Sequence, residues 1–184
     1  MSNSDLLAVA ARLPDRCMEK AIMDCVDRHI CACEYVLADA LISVALGRLK
    51  KRPALSASLT ALGVKIAVRT RDFDLAISRF GQIAAGGCTD EIINLQSDAL
   101  YYLAEGLLPE RPSLLFSLWQ ECLADRLTGH ARFNLCSLGR LLAANFARIG
   151  NYEMVRRIGA ELEALKVAGE RAGNAGSRKN GAVF

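Results

Sequence analysis

LTALGVKIAVRTRDFDLAISRF, residues 59–80, decides the fold, because the chain repeats its pattern further downstream. Residues 138–159 read LGRLLAANFARIGNYEMVRRIG, and both stretches share two leucines, an arginine and an acid-or-amide, aromatic, acid triplet. Each matched pair, such as Asp72 and Asn151, is 79 positions apart, or about two units of 39 or 40 residues. A repeat of this length indicates stacked helical hairpins, each of which buries its apolar face only against its neighbours.

The composition favours a folded helical protein. Hydrophobic residues are 52% of the 184 and charged residues 23%, which excludes a disordered chain. Only four residues are proline, and Ala, Leu, Ile, Arg and Glu dominate, which suits helices better than sheets. No apolar run approaches the roughly 18 residues of a membrane span, so we expect no membrane insertion. No secretory signal is recognisable, and we expect a cytoplasmic protein with reduced cysteines.

Proline and glycine divide the chain into segments of helical length. No strand-like alternation bounded by hairpin turns occurs, so we predict a single all-α domain over residues 1–167. Gly, Asn, Ser and Lys dominate from residue 168, and we expect residues 168–184 to be a disordered basic tail. The predicted helices are 3–13, 14–30, 33–50, 54–70, 73–85, 90–107, 113–127, 130–148 and 152–167.

The second helix of each predicted hairpin begins near Tyr35, Phe73, Pro112 and Tyr152, at steps of 38, 39 and 40 residues. Within these helices an aromatic residue, a small residue three positions later and a bulky one seven positions later share one face. The pattern predicts a core between the helices that contains Phe73, Ala76, Phe80, Leu115, Trp119 and Tyr152.

RDFDLAISRF, residues 71–80, resembles the second helix of a tetratricopeptide repeat (TPR), in which an aromatic, an alanine and an aromatic occupy the places of Phe73, Ala76 and Phe80. GNYEMV, residues 150–155, resembles the same turn and helix start. The resemblance implies a TPR-like α-solenoid of about four stacked antiparallel hairpins. A HEAT-type stack and a non-repeat helical bundle are the alternatives, because every amphipathic helix shows a period of about 3.6 residues.

In TPR-like stacks the first helix of each hairpin lines a groove that grips an extended peptide. Arginine suits that role because its guanidinium donates hydrogen bonds in pairs to carboxylates and carbonyls. The opposing interpretation is that these arginines are only solvated. The resemblance implies a partner-binding surface made of Lys65, Arg69, Tyr101, Arg140, Ala144 and Arg148.

Two cysteine-containing segments are candidates for chemistry. Cys25, His29 and Cys33 would align three zinc-type ligands on one continuous helix, but the chain is expected to bend near residues 30–33. Cys88 precedes a helix N-terminus, as some catalytic cysteines do, yet neither His29 nor His130 belongs to a nucleophile motif. No phosphate loop, dinucleotide fingerprint, zinc-protease or hydrolase motif occurs. We therefore predict a non-enzymatic protein with no cofactor and no metal.

The predicted function is that of a cytoplasmic adaptor or chaperone, which holds a segment of another protein in a helical groove, with a homodimer as an option. Small TPR-like chaperones of bacterial secretion systems, including type III secretion, share this length and short opening helix.

The alternative is a helical regulator that binds nucleic acid. The surplus of three positive charges lies in residues 166–184, so the body is neutral, which disfavours that alternative. Its phosphate contacts would come from the basic tail and from Arg132, Arg140, Arg148, Arg156 and Arg157. A small enzyme that uses Cys88 or the Cys25–His29 region is a third interpretation.

Overall fold

The computed structural model describes residues 15–48, 53–123 and 127–179, and every regular element in these ranges is an α-helix. The all-α prediction is therefore confirmed for the described part of the chain. The opening helix predicted over residues 3–13 lies outside it. The helices are α1 (Asp15–Cys31), α2 (Tyr35–Arg48), α3 (Pro53–Arg69), α4 (Phe73–Ala84), α5 (Asp90–Glu110), α6 (Pro112–Glu121), α7 (Gly129–Arg148) and α8 (Tyr152–Lys179).

Three of the turns between helices share one backbone geometry. Cys33, Arg71 and Gly150 each follow a helix with a positive φ, of 59°, 62° and 76° respectively. At the second turn the amide of Asp72 donates to the carbonyl of Ala67, five residues earlier, at 2.8 Å, as in a Schellman motif. The corresponding bonds at the other two turns measure 2.8 and 2.9 Å. The turns α1–α2, α3–α4 and α7–α8 are thus closed in the same way.

Side-chain caps explain where several of the helices begin. The Oδ1 of Asp72 accepts the amide of Leu75 at 3.1 Å, and the Oδ1 of Asn151 accepts the amide of Met154 at 3.2 Å. Thr128 caps α7 in the same manner through the amide of Ala131. Such caps satisfy amides that have no partner within the helix. Asp72 and Asn151, which are matched residues of the internal repeat, therefore cap their helices in the same way.

The chain divides into two compact units, the first ending at Gly106 and the second beginning at Leu107. In the first unit α1 packs against α2 and α3, α2 packs against α3, and α3 packs against α4. The predicted inward residues of α2 (Ala38, Leu41, Ile42 and Ala45) are all buried in one cluster with residues of α1 and α3. Ala76 and Phe80 of α4 are also buried, as predicted.

A partly buried arginine links three helices of the first unit. The Nη1 of Arg79, on α4, lies 2.6 Å from the Oδ1 of Asp39 on α2 and donates to the carbonyl of Gly63 on α3 at 2.9 Å. Only 12% of the Arg79 side chain is exposed, so its charge is compensated within the fold. Because a Cβ at position 63 would lie 3.0 Å from that same Nη1, glycine leaves room for the guanidinium.

The second unit is built on aromatic residues of α6 and α7. Trp119 is fully buried, and its indole N–H donates to the carbonyl of Leu135 at 2.8 Å. Its ring lies 5.9 Å from that of Phe116, which meets Phe146 edge-on at 6.4 Å. A buried indole that retains a hydrogen-bond partner avoids the cost of an unsatisfied donor. Leu115 is buried as well, so the predicted core positions of α6 are confirmed.

One predicted core residue is wrong, Phe73 is only partly buried, and two helix ends differ from the prediction by six residues or more. Tyr152 is 66% exposed, because α8 packs through Ile158 and Leu165. Gly159, at the position that Phe80 holds in α4, is exposed, and nothing lies within 4 Å of the place a Cβ would take. α6 ends at Glu121, earlier than residue 127, and α8 continues beyond residue 167 to Lys179.

Candidate interaction surfaces

The predicted binding residues of the first unit face partners within that unit. The Nζ of Lys65, on α3, lies 5.4 Å from the centroid of the Tyr102 ring on α5. One turn further along α3, the Nη2 of Arg69 pairs with Oε2 of Glu105 at 2.9 Å. Tyr101, the residue predicted for the wall, is 40% exposed. Both cations of α3 thus already have an aromatic or acidic neighbour.

Tyr102 shows that this face is electrostatically mixed. Burial raises the pKa of the Tyr102 phenol, and the negative charges of Asp98, Asp27 and Glu105 raise that pKa further. These carboxylates come from α5 and α1, so acidic groups approach the same phenol from two helices. The face therefore offers no plain cationic groove for an acidic segment.

The binding residues predicted for the second unit are on α7, which carries three arginines and no Asp or Glu. Arg132 is turned toward its own unit, where its Nη2 donates to the carbonyl of Leu127 at 3.4 Å and the side chain lies against Gly169. Arg140 and Arg148 are exposed and have no ion pair within the described residues. These two arginines, two turns apart, are the cations available to a partner.

Apolar side chains accompany these arginines. Phe133 is 71% exposed and Leu141 is 43% exposed, and Ala144 is exposed as well. Their helical spacing places them beside Arg140 and Arg148 on the outer side of the helix. We call this set, Phe133, Arg140, Leu141, Ala144 and Arg148, the α7 face. The sequence reasoning missed Phe133, which has no equivalent in the echoed stretch, and Leu141, whose equivalent Leu62 is buried.

The cysteine and histidine candidates do not converge. Cys25 is half-buried against the core of the first unit, and Cys33 lies in the α1–α2 turn, where the hydroxyl of Tyr35 donates to its Sγ at 3.6 Å. The Nδ1 of His29 contacts Oε2 of Glu34 at 2.6 Å. Among the described residues no group of three or more His, Cys, Asp or Glu side chains could hold a metal ion.

Neither Cys88 nor Cys122 belongs to a recognisable catalytic arrangement. Cys88 is exposed just before α5, where Thr89 caps the helix through the amide of Ile92. His130 contacts the side chain of Asn134, one turn along α7. Burial raises the pKa of Cys122 to about 12, which keeps its sulfur a neutral thiol. The structure thus assembles no thiol–imidazole pair from these residues.

The first unit also contains a cleft of about 310 Å³. Side chains of opposite charge, Lys20 and Glu91, stand at its rim beside apolar atoms. This mixture favours no single class of ligand. The lining residues are Lys20, Met23, Pro53, Ala54, Leu55, Ser58 and Glu91.

No helix in the described ranges has the length and apolar character needed to cross a bilayer. No protein-family model matches the chain, and no curated protein or solved structure is significantly similar to it.

Proposed function

We propose that this protein is a non-enzymatic adaptor or chaperone that holds a segment of another protein against the α7 face. The segment would be amphipathic, with carboxylates for Arg140 and Arg148 and apolar side chains for Phe133 and Leu141. The observation that carries this proposal is the combination of exposed apolar residues with two arginines that have no ion pair among the described residues, on a helix that lacks carboxylates. Apolar residues contribute contact area, and arginine forks select carboxylates.

The finer form of the proposal is a cytoplasmic, TPR-like stack of about four helical hairpins. Three equivalent turns, at Cys33, Arg71 and Gly150, support it, since the last two are 79 positions apart and the first two are 38. Sequential pairing of α1 with α2, α3 with α4 and α7 with α8 supports it too. By analogy with the secretion chaperones that the sequence resembles, secreted proteins are one class of partner to test.

Lys65 and Arg69 have a smaller place in this proposal than the α7 arginines. A partner that bound Arg69 would have to compete with Glu105, and one that bound Lys65 would have to compete with the Tyr102 ring. Exposed ion pairs contribute little free energy, so such competition is feasible but reduces the net gain. The α7 arginines have no such competitor among the described residues and are the sharper target for a test.

The test compares two double variants that change the net charge equally. Arg140→Glu with Arg148→Glu alters the α7 face, and Arg71→Glu with Arg156→Glu alters exposed arginines elsewhere. Each tagged protein is used as bait in lysate of the source cells, and captured proteins are quantified by mass spectrometry. We expect a set of proteins that the native chain and the control retain and the α7 variant loses. Cross-links from α7 should map to acidic segments of those proteins. Equal capture by all three baits would contradict the proposal.

Nucleic-acid binding is the second candidate, because the absence of carboxylates on α7 favours any anionic partner. Of the five arginines predicted to contact phosphates, two already contact groups of this chain. Arg132 contacts the Leu127 carbonyl, and the guanidinium carbon of Arg157 lies 5.3 Å from the centroid of Phe116. If this candidate is correct, affinity for a random duplex should fall steeply with salt. Each phosphate contact contributes about −0.9 to the slope of the logarithm of the association constant against the logarithm of the salt concentration. Undetectable duplex binding at low salt would remove this candidate.

A further inference from the structure

α2 has an outer face that the described residues of its own unit leave exposed. Its inner residues are buried against α1 and α3, yet Val36 is 82% exposed and Leu37 and Val44 are each 42% exposed. The helix sequence, YVLADALISVALGR, contains only one acidic and one basic residue. A helix that is apolar on all sides is normally buried on all sides. The outer face of α2 therefore has the composition of a contact surface.

The exposed residues of this face follow the spacing of a coiled-coil seam. Leu37, Ala40, Val44 and Gly47 are separated by three, four and three positions, as the a and d positions of two heptads are. All four are exposed, on a side of the helix that adjoins the buried stripe through Ala38 and Leu41. We call these four residues the α2 seam. Large residues occupy its first and third places, and small residues occupy its second and fourth.

This order of large and small residues fits a second copy of the same helix. In an antiparallel pair related by a two-fold axis near Ile42, Leu37 faces Gly47 of the other copy and Ala40 faces Val44. Every layer then combines one large with one small residue, which lets two helices interlock closely. A parallel pair would instead set leucine against leucine and glycine against glycine. The seam is thus self-complementary in one orientation, as a two-fold interface requires.

The charges of the first unit also favour a second copy over a charged partner. Asp39 is the only acidic residue of α2, and it is paired with Arg79 at 2.6 Å. The seam itself has no charged side chain. Two copies would therefore associate without charge repulsion and without desolvating a charged group. An acidic or basic segment would have no opposite charge on the seam to pair with.

We propose that the α2 seam is the interface of a homodimer, in which α2 of one chain packs antiparallel against α2 of another. Two heptads bury less than the roughly 800 Å² per partner of a standard stable interface, so we expect a weak, concentration-dependent dimer. The proposal does not depend on the α7 face or on what that face binds.

Sedimentation equilibrium of the full chain tests the proposal without any substitution. Between roughly 1 μM and 1 mM, the range of weak association, the average mass should rise from 19.9 kDa toward twice that value. Val44→Glu should raise the dimer dissociation constant about a hundredfold or more, because both symmetric layers would bury an unpaired carboxylate. Val167→Glu is the matched control, since Val167 is also 42% exposed but lies on α8, and it should leave the constant unchanged. A native chain that stays monomeric throughout, or a Val44→Glu chain that still dimerises normally, would overturn the proposal.

A mixing experiment tests the antiparallel register. Ala40→Lys alone and Val44→Glu alone should each prevent self-association. When the two variants are mixed, the introduced lysine and glutamate face each other in one layer and the native pair remains in the other. The mixture should therefore form a heterodimer whose affinity decreases with salt. A mixture that remains monomeric, while the native chain dimerises, would exclude this register and the interface built on it.

Discussion

At the residue scale, the Tyr102 phenol provides a prediction about pH. Burial and three nearby carboxylates raise the pKa of Tyr102 above its usual value of 10.0. The folded state therefore keeps the phenol protonated where the unfolded state loses the proton. The stability that this contributes is complete below about pH 10 and is lost as the pH rises through the folded-state pKa.

Tyr102→Phe removes the ionisable group and should reduce the loss of stability at high pH. Urea unfolding at about pH 9 and about pH 11 measures that loss. We expect the difference between the two values to be smaller in Tyr102→Phe than in the native chain. Tyr101→Phe, on the same helix, is the matched control. A native-sized loss in Tyr102→Phe would show that the phenol does not contribute.

Residue identities in the candidate sites could be predicted from the sequence, but their neighbours could not. The sequence predicts a helix around Lys65 and Arg69, and both residues lie on α3. Their partners, Tyr102 and Glu105, are more than 30 positions away along the chain, and only the fold brings these side chains of α5 to α3. The exposure of Phe133 could not be predicted either, because an aromatic residue at helical spacing is normally expected to lie in the core.

At the element scale, two glycines in neighbouring helices should respond in opposite ways to the same substitution. A Cβ at Gly139, on α7, would lie 2.8 Å from Cζ2 of Trp119 and 2.9 Å from Cδ2 of Leu162. Gly139→Ala should therefore lower the free energy of unfolding by about 1–3 kcal/mol, the usual cost of overpacking. Gly159, on α8, has no such neighbour within 4 Å. Gly159→Ala should raise the free energy of unfolding by up to about 1 kcal/mol, because alanine favours helix.

Urea unfolding of both variants checks this contrast. The two substitutions add the same methyl group to helices of the same unit, so each serves as the control for the other. Equal effects of one sign would contradict the close contact between α7 and the Trp119 ring. A stabilised Gly139→Ala chain would contradict it most directly.

Helix starts were easier to predict than helix ends. Asp72, Thr128 and Asn151 have side chains that accept an amide in the first turn, and such residues are recognisable in a sequence. The end of α6 was not recognisable. It is closed by short three-residue bonds from Cys122 and Leu123, without glycine or proline. α8 continues past residue 167 because interior glycines cost only about 1 kcal/mol each and do not forbid a helix.

At the scale of the whole molecule, the internal repeat of residues 59–80 and 138–159 predicted the turns between helices better than it predicted how the helices pack. The turns at Arg71 and Gly150 adopt the same geometry, as the matched sequences imply. Phe80 and Gly159 occupy equivalent positions, yet only the first can fill a core, so α8 presents a different face from α4. A repeat therefore specifies local structure wherever the residues match, whereas packing changes wherever one side chain is lost.

The last prediction concerns how much of the chain the fold needs. The buried residues of α8 extend to Leu165, and the Gly169 backbone lies against Arg132. A chain that ends at residue 170 should therefore keep the melting temperature of the native protein. A chain that ends at residue 164 loses Leu165, whose burial is worth about 1.5–3 kcal/mol, and should melt at least several degrees lower. Differential scanning calorimetry of the three lengths, with helicity checked by circular dichroism, compares them. If removal of residues 171–184 alone lowered the melting temperature by several degrees, this part of the basic tail would belong to the fold, and its deletion could not serve as a neutral test of nucleic-acid binding.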